Sequence, residues 1–334
     1  MTRSIPIASA LAASAALLVL ALELRASHPR TMLRVGAPMD TVSALPPGGL
    51  SPTIDTGGFA TPAPALGPAA DIVAQAGQPR QRTSPTPLDQ AVKQQREMLG
   101  ADPWANPGHL DIERGETLWT TPRGPSRATL AGCDLGKGRG ILDGAYAELP
   151  RYFADAGRVL DLEGRLLWCM EKLQGFARAA LIAAPYPKSG QPASDLAAIA
   201  IFVASKSNGT RLAPRQAHAL EREAVAMGER FFYRRQGPMD FSCASCHSVA
   251  TKRIRLQQLS DLATPAGAAA VMGHWPAYRV SSVQTMTMQH RIYDCYWQMR
   301  LPPIEIGSPV AIALISYLNN QAKGAEVAVP GLKR

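Results

Sequence analysis

Two of the chain's five cysteines and one of its six histidines fall within five positions, in the run Cys243-Ala244-Ser245-Cys246-His247. Two intervening residues let one helical turn present both sulfurs along one edge, while the imidazole of the next residue reaches past them. That spacing is the attachment signature of c-type haem, in which both thiols add to vinyl groups and the histidine ligates iron. A Cys-x-x-Cys pair can also hold zinc or act as a redox dithiol. Zinc needs further ligands, and His218, His274 and His290 stand in no paired arrangement, so the pattern favours haem.

An iron bound by His247 has a second axial position to fill. On spacing alone Met272, Met286, Met288 and Met299 would each serve, as methionine does in electron carriers. Cys295 is the alternative, and an internal repeat argues for it. GETLW, from Gly115, returns as GERFF from Gly228, an offset of 113 residues; AIAIFVAS, from Ala198, returns as AIALISYL from Ala311 at the same offset. That offset sets Cys243, Cys246 and His247 over Leu130, Cys133 and Asp134. EGRLLWC, ending at Cys169, matches QHRIYDC, ending at Cys295, with Arg165 and Arg291 each four residues ahead of the cysteine. Here the spacing slips to 126 and recovers before Ala311, which a compensated difference in loop length explains. An arginine-led cysteine therefore accompanies both a complete attachment motif and an incomplete one. Cys295 is the sulfur expected opposite His247.

The elements that would position these groups read as helix, long irregular middle and helix in each copy. Ser194 and Ser308 cap the closing helices, Pro309 starts the second, and Gly209 and Gly324 stop them. Little in between reads as strand. Small helical domains with long glycine- and proline-bearing loops suit a body built round a large flat ligand.

GERFF, CASCH, HRIYDCYWQMR and the GSP-capped last helix together resemble the SoxA subunits of SoxAX cytochrome complexes, over roughly residues 90–330, and DLEGRLLWC is similar to that family's first domain. The resemblance implies a mainly α fold of two tandem class I cytochrome c-like domains, at 88–212 and 213–334, with catalysis at one covalent haem c in the second. Cys243 and Cys246 would carry the haem; His247 and Cys295 would be its axial ligands. Cys295 would be modified to a persulfide, and Arg291 would bind thiosulfate. The implied activity is that of an L-cysteine S-thiosulfotransferase, which joins thiosulfate oxidatively to a cysteine of a SoxYZ-like carrier protein. Electrons would leave through a SoxX-like monohaem cytochrome c subunit in a heterodimer.

The residue chemistry is compatible with those roles. A thiolate donor stabilises ferric iron, and a guanidinium offers a small dianion both charge and directed hydrogen bonds. Arg291 would share a helix face with Cys295 if that stretch is helical. A solvent-facing or propionate-pairing arginine is the plainer use of Arg291, and Arg300 is a weaker candidate for the same work. The competing function is a membrane-tethered electron-transfer cytochrome without substrate chemistry.

The first copy departs from two-haem members of the family. With Leu130 and Asp134 where ligands would stand, it is expected to have lost its haem. Cys133 and Cys169, which would have faced one macrocycle from different sides, are then expected to close a disulfide in an oxidising compartment.

A net charge of +9 suits an acidic protein partner or a small anion. Without a basic run interleaved with aromatics, nucleic acid is not an expected partner. One early arginine and an apolar run from Ile5 to Leu22 make residues 1–27 an export leader, either cleaved as a signal peptide or kept as a membrane anchor. Leu24 stands where a cleavage site wants a small residue. Residues 28–87, rich in Pro, Gly and Ala without sustained apolar period, read as a flexible linker. A helix is expected from Asp89 to Gly100. The body would work in the periplasm, free or held at the inner membrane.

Overall fold

The computed structural model describes residues 105–249, 252–254 and 257–333, together with Gln90, Ala91, Gln94, Glu97, Met98 and Asp102. The expected leader and linker lie outside the described residues. Within the helix expected from Asp89, the described Gln90, Ala91, Gln94, Glu97 and Met98 are helical. Among the described residues no helix is long and apolar enough to cross a membrane.

The first copy runs α1 (Gly108–Thr120), a hairpin of β1 (Arg151–Phe153) and β2 (Arg158–Leu160), α2 (Leu162–Lys172), α3 (Arg178–Ile182) and α4 (Asp195–Ser205). The second runs α5 (Ala219–Tyr233), α6 (Cys243–His247), β3 (Arg253–Ile254), β4 (Gln257–Gln258) and α7 (Pro265–Met272). It continues through β5 (Ala277–Arg279), β6 (Gln284–Met286), α8 (Met288–Gln298), α9 (Pro309–Gln321) and β7 (Gly331–Lys333). The closing helices α4 and α9 are apolar on all sides: Leu196 to Ala204 and Ala311 to Asn319 are buried without a break. Helices of that kind belong at the centre of a core. Each begins at the serine the sequence marks, Ser194 accepting from Ala197 N at 3.2 Å and Ser308 from Ala311 N at 3.3 Å.

Each central helix is gripped by the opening helix of its own copy through a glycine. A Cβ on Gly115 would fall 2.0 Å from the Ala198 carbonyl oxygen, and one on Gly228 would fall 1.9 Å from that of Ala313. Only glycine permits the backbones to approach so closely. These contacts correct the repeat register. Gly115 meets Ala198 and Phe202, whereas Gly228 meets Ala313 and Tyr317, so the structural partner of Ala198 is Ala313 and not Ala311. The Ala-Ile pattern of both helices favours the offset of 113 in sequence, and contact with the opening helix overrides it by two residues.

The strands were not legible in the sequence. β5 pairs antiparallel with β6 and parallel with β7, so that the end of the described chain closes a three-stranded sheet over the second copy. The segment ahead of β7 also ties the copies together: Leu212 N donates to Ala325 O and Gly324 N to Leu212 O, both at 2.8 Å. One apolar core continues through both copies.

Candidate cofactor and catalytic site

α6 is a single turn locked at its start by two serines. Ser242 Oγ accepts from Ser245 N at 3.1 Å, and Ser245 Oγ accepts from Ser242 N at 3.0 Å. This reciprocal cap satisfies the first N–H groups of the turn and fixes where Cys243, Cys246 and His247 point. His247 is held by its main chain as well, since its carbonyl accepts from Leu262 N at 2.7 Å. Its ring Nδ1 lies 3.0 Å from the Ser260 carbonyl oxygen. A carbonyl only accepts, so the ring proton sits on Nδ1 and the Nε2 lone pair is left for a metal. Burial holds the imidazole below its ordinary pKa and keeps it neutral, the form a ligand needs.

α8 supplies the facing groups. Thr287 caps it, accepting from His290 N at 3.2 Å. Arg291 and Cys295, one turn apart, share a face. Together with Cys243 and His247 they line one cavity of about 120 Å³. The remaining walls are apolar, from Phe232, Leu262, Met288, Ile292, Leu314 and Leu318 among others. Burial, reinforced by Cys295 nearby, pushes the Cys243 thiol up to about 12. Burial also raises the Cys295 thiol, against the opposing charge of Arg291. Such thiols stay protonated until a bond or a metal replaces the proton.

A haem fits these residues. Paired thiols sit on one capped turn, the imidazole Nε2 is free, and the walls exclude water from a flat apolar group. Two N–H donors at the cavity, Arg291 Nη1 and Trp275 Nε1, are buried without a hydrogen-bond partner. Donors left unpaired in an apolar wall suit anionic oxygens, whether of a propionate or of a substrate. The sequence reading missed Trp275, because a lone tryptophan carries no signal apart from its bulk.

Of the four methionines considered for the sixth position, Met288 alone lines this cavity, beside Cys295. Arg300 stands off it, stacked at 5.0 Å on the exposed Trp297. Among the described residues no cluster of three His, Cys, Asp or Glu side chains could hold a metal ion.

At the corresponding place in the first copy the same residue types have other occupations. Cys133 and Cys169 are bridged by a disulfide, their Cα atoms 5.7 Å apart, and both are buried. Leu130 is fully buried. Asp134 Oδ1 accepts from Gly136 N at 2.6 Å and Gly138 N at 2.9 Å. Arg165 lies with its guanidinium 4.2 Å from the Phe153 ring and 4.5 Å from that of Trp168. It donates to Asp134 O at 2.6 Å and to Asp155 Oδ1 at 2.9 Å.

A family model described as SoxA/TsdA, cytochrome c domain, matches residues 114–212 and 227–327, one match for each copy. The chain is 45% identical over 229 residues to the L-cysteine S-thiosulfotransferase subunit SoxA of Hydrogenophilus thermoluteolus, covering 69% of this chain and 83% of that one. It is 38% identical over 243 residues to a protein of the same name from Hydrogenobacter thermophilus, covering 72% and 89%. In fold it is similar to a chain of the SoxXA crystal structure from P. pantotrophus, with a TM-score of 0.59 at 22% identity, over 72% of this chain and 84% of that one.

Proposed function

This chain belongs to the SoxA family of cytochrome c-type proteins, and from that premise we propose that it is the catalytic haem subunit of a periplasmic L-cysteine S-thiosulfotransferase. Its substrates are thiosulfate and the cysteine of a SoxYZ-like carrier protein, and a SoxX-like monohaem cytochrome is its partner. The observation that carries this reading is the pairing of Arg291 and Cys295 on one face of α8, in the cavity that also holds Cys243 and His247.

Cys243 and Cys246 would hold haem c through their sulfurs, and His247 Nε2 and the Cys295 sulfur would be the protein's donors to its iron. Haem c, when bound, supplies the electron sink. Arg291 does the binding: its buried Nη1, 3.6 Å from Asp294 Oδ2 and without a hydrogen-bond partner, offers thiosulfate a charged donor inside an apolar wall. Cys295, in the persulfide form that the family resemblance implies, is the sulfur beside which the substrate's outer sulfur is held. The overall step forms one S–S bond, between thiosulfate's outer sulfur and the carrier cysteine. The carrier thiol gives up its proton, and two electrons pass out through c-type cytochrome.

We assign residues 88–212 to a domain without haem and 213–334 to the catalytic domain. Leu130 and Asp134 offer iron no donor set in the first, and its two cysteines are already bonded to each other.

Cys295→Ala tests the proposal. Thiosulfate-dependent reduction of acceptor cytochrome, measured with the carrier present, is expected to vanish while covalent haem remains. Undiminished reduction in that variant would refute the enzyme and leave an electron carrier.

A further inference from the structure

Two carboxyls that the catalytic site does not use are buried where α2 of the first copy meets α8 of the second. Asp161 is 2% exposed and Glu163 is 6% exposed. Among the described residues neither has an ion-pair partner. Asp161 caps α2, Oδ1 accepting from Gly164 N at 2.9 Å, and its Oδ2 accepts from Gln289 Nε2 at 2.5 Å. Gln289 in turn accepts at Oε1 from Gly307 N at 2.7 Å. Thr287 and the Gln289 backbone favour the charged form of Glu163, whose Oε1 has no partner. The first residues of α8 therefore hang on two carboxyls from the other copy. Within the next two turns the same helix carries Arg291 and Cys295.

We infer that Asp161 and Glu163 are positioning residues for that site, a buried pair that keeps one proton between its carboxyls and sets where α8 stands. The argument is electrostatic. Two carboxylates without a counter-charge cannot both ionise in an apolar interface. Asp161 receives two N–H donors, as a carboxylate wants, while Glu163 keeps an oxygen that nothing serves. The proton therefore belongs mainly to Glu163. Among the described residues the surroundings supply no positive charge. Tyr146 faces the pair from the first copy, its hydroxyl already donated to Trp275 O at 2.7 Å. Tyr186 faces it as well, stacked on His290 and tilted against Tyr293 of α8, with its hydroxyl unpaired. His290 is kept neutral by burial, and Asn319 of α9 and Met288 complete the walls. Met288 also lines the cavity of Cys295, so one side chain separates the pair from the catalytic space.

Burial raises both carboxyls above their ordinary range, with the Asp161 charge adding to the effect on Glu163. A carboxyl raised in the folded state stabilises fully only below its unfolded pKa, and that contribution is lost as pH rises through the folded value. The pair should thus release its proton, and loosen the anchorage of α8, on the alkaline side.

The inference rests on the proposed role of α8, so the measurements that decide it avoid thiosulfate. Infrared spectra of wild-type holoprotein at neutral pH should contain a protonated carboxyl C=O band that shifts in D2O and disappears in Glu163→Gln. Absorbance of the oxidised haem, titrated from about pH 5 to pH 9, should follow a one-proton step in wild type that is flat in Glu163→Gln. With thiosulfate and carrier added, Asp161→Asn should lower kcat/KM about tenfold, mostly through KM, because a positioning residue acts at one remove. A Glu163→Gln titration superimposable on wild type would overturn the inference. Should that variant fail to accumulate, the wild-type infrared spectrum decides alone, and absence of the band overturns it. Normal titrations in a protein that does not conjugate thiosulfate would count against the proposed activity and leave the pair intact.

Discussion

Arg165 and Arg291 each stand one helical turn before a cysteine, and their surroundings differ in every respect that matters to reactivity. Arg165 is sandwiched by two aromatic rings, and both its Nε and its Nη1 donate at hydrogen-bond distance. Arg291 comes no closer than 3.6 Å to its only carboxylate, Asp294, and its buried Nη1 donates to nothing. The cysteines divide in the same way. Cys169 is bonded to Cys133, whereas Cys295 is free and close enough to Cys246 for their charges to interact. Two copies of one helical frame have thus settled into opposite states. In the first, Asp134, Arg165 and both cysteines are engaged within the protein; in the second, a thiol, an imidazole nitrogen and a guanidinium are held ready for something from outside. That difference is the ground on which the proposed function places the chemistry in the second copy.

The largest test removes the bond that fills the first copy. Cys133→Ser with Cys169→Ser should cost about 2–5 kcal/mol of unfolding free energy, the range for a buried native disulfide in a small domain. Denaturant melts would report it. Haem absorbance at pH 7 should be unchanged, because the second copy's ligands are untouched. A variant that gained a second equivalent of haem would overturn the assignment of the first copy as haem-free.

Smaller and more discriminating is the arginine pair. Arg291→Lys keeps the charge and loses the planar fork, and should raise KM for thiosulfate roughly tenfold with little change in stability. Arg165→Lys should do the reverse, costing about 1–3 kcal/mol through lost hydrogen bonds and ring contacts, with KM unaltered. Equal kinetic effects from both would erase the distinction.

How much of this was written in the sequence follows from the range over which each feature is determined. The attachment turn is local, and Cys-x-x-Cys-His can be read without a neighbour. The serine caps of α4 and α9 are local too. The pairing of Arg291 with Cys295 needed only a helix between them. Features set by distant contacts were out of reach. The register of α9 against α5 is decided by Gly228 meeting Ala313, which an alternating Ala-Ile pattern cannot disclose. Strands of two or three residues, such as β5 to β7, are too short to carry a period and exist through their partners. Asp161 and Glu163 read as an ordinary acidic helix start, and only the packing of α8 onto them reveals buried carboxyls.

The smallest effect concerns the position where the first copy carries Asp134 and the second His247. Burial alone would raise the Asp134 carboxyl, but the N–H groups of Gly136 and Gly138, with Arg165 and Arg151, outweigh it and hold the group below its usual range. A carboxyl lowered in the folded state contributes stability that is present above its unfolded pKa and disappears as pH falls through the folded value. Asp134→Asn should therefore cost about 1 kcal/mol near neutrality, allowing for partial exposure, and nothing at strongly acid pH. Thermal melts at a series of pH values would show the two curves converging on the acid side. Curves that stayed parallel would mean that the loop is held by its glycine backbone alone. The aspartate would then be an accident of the lost ligand, and no replacement for it.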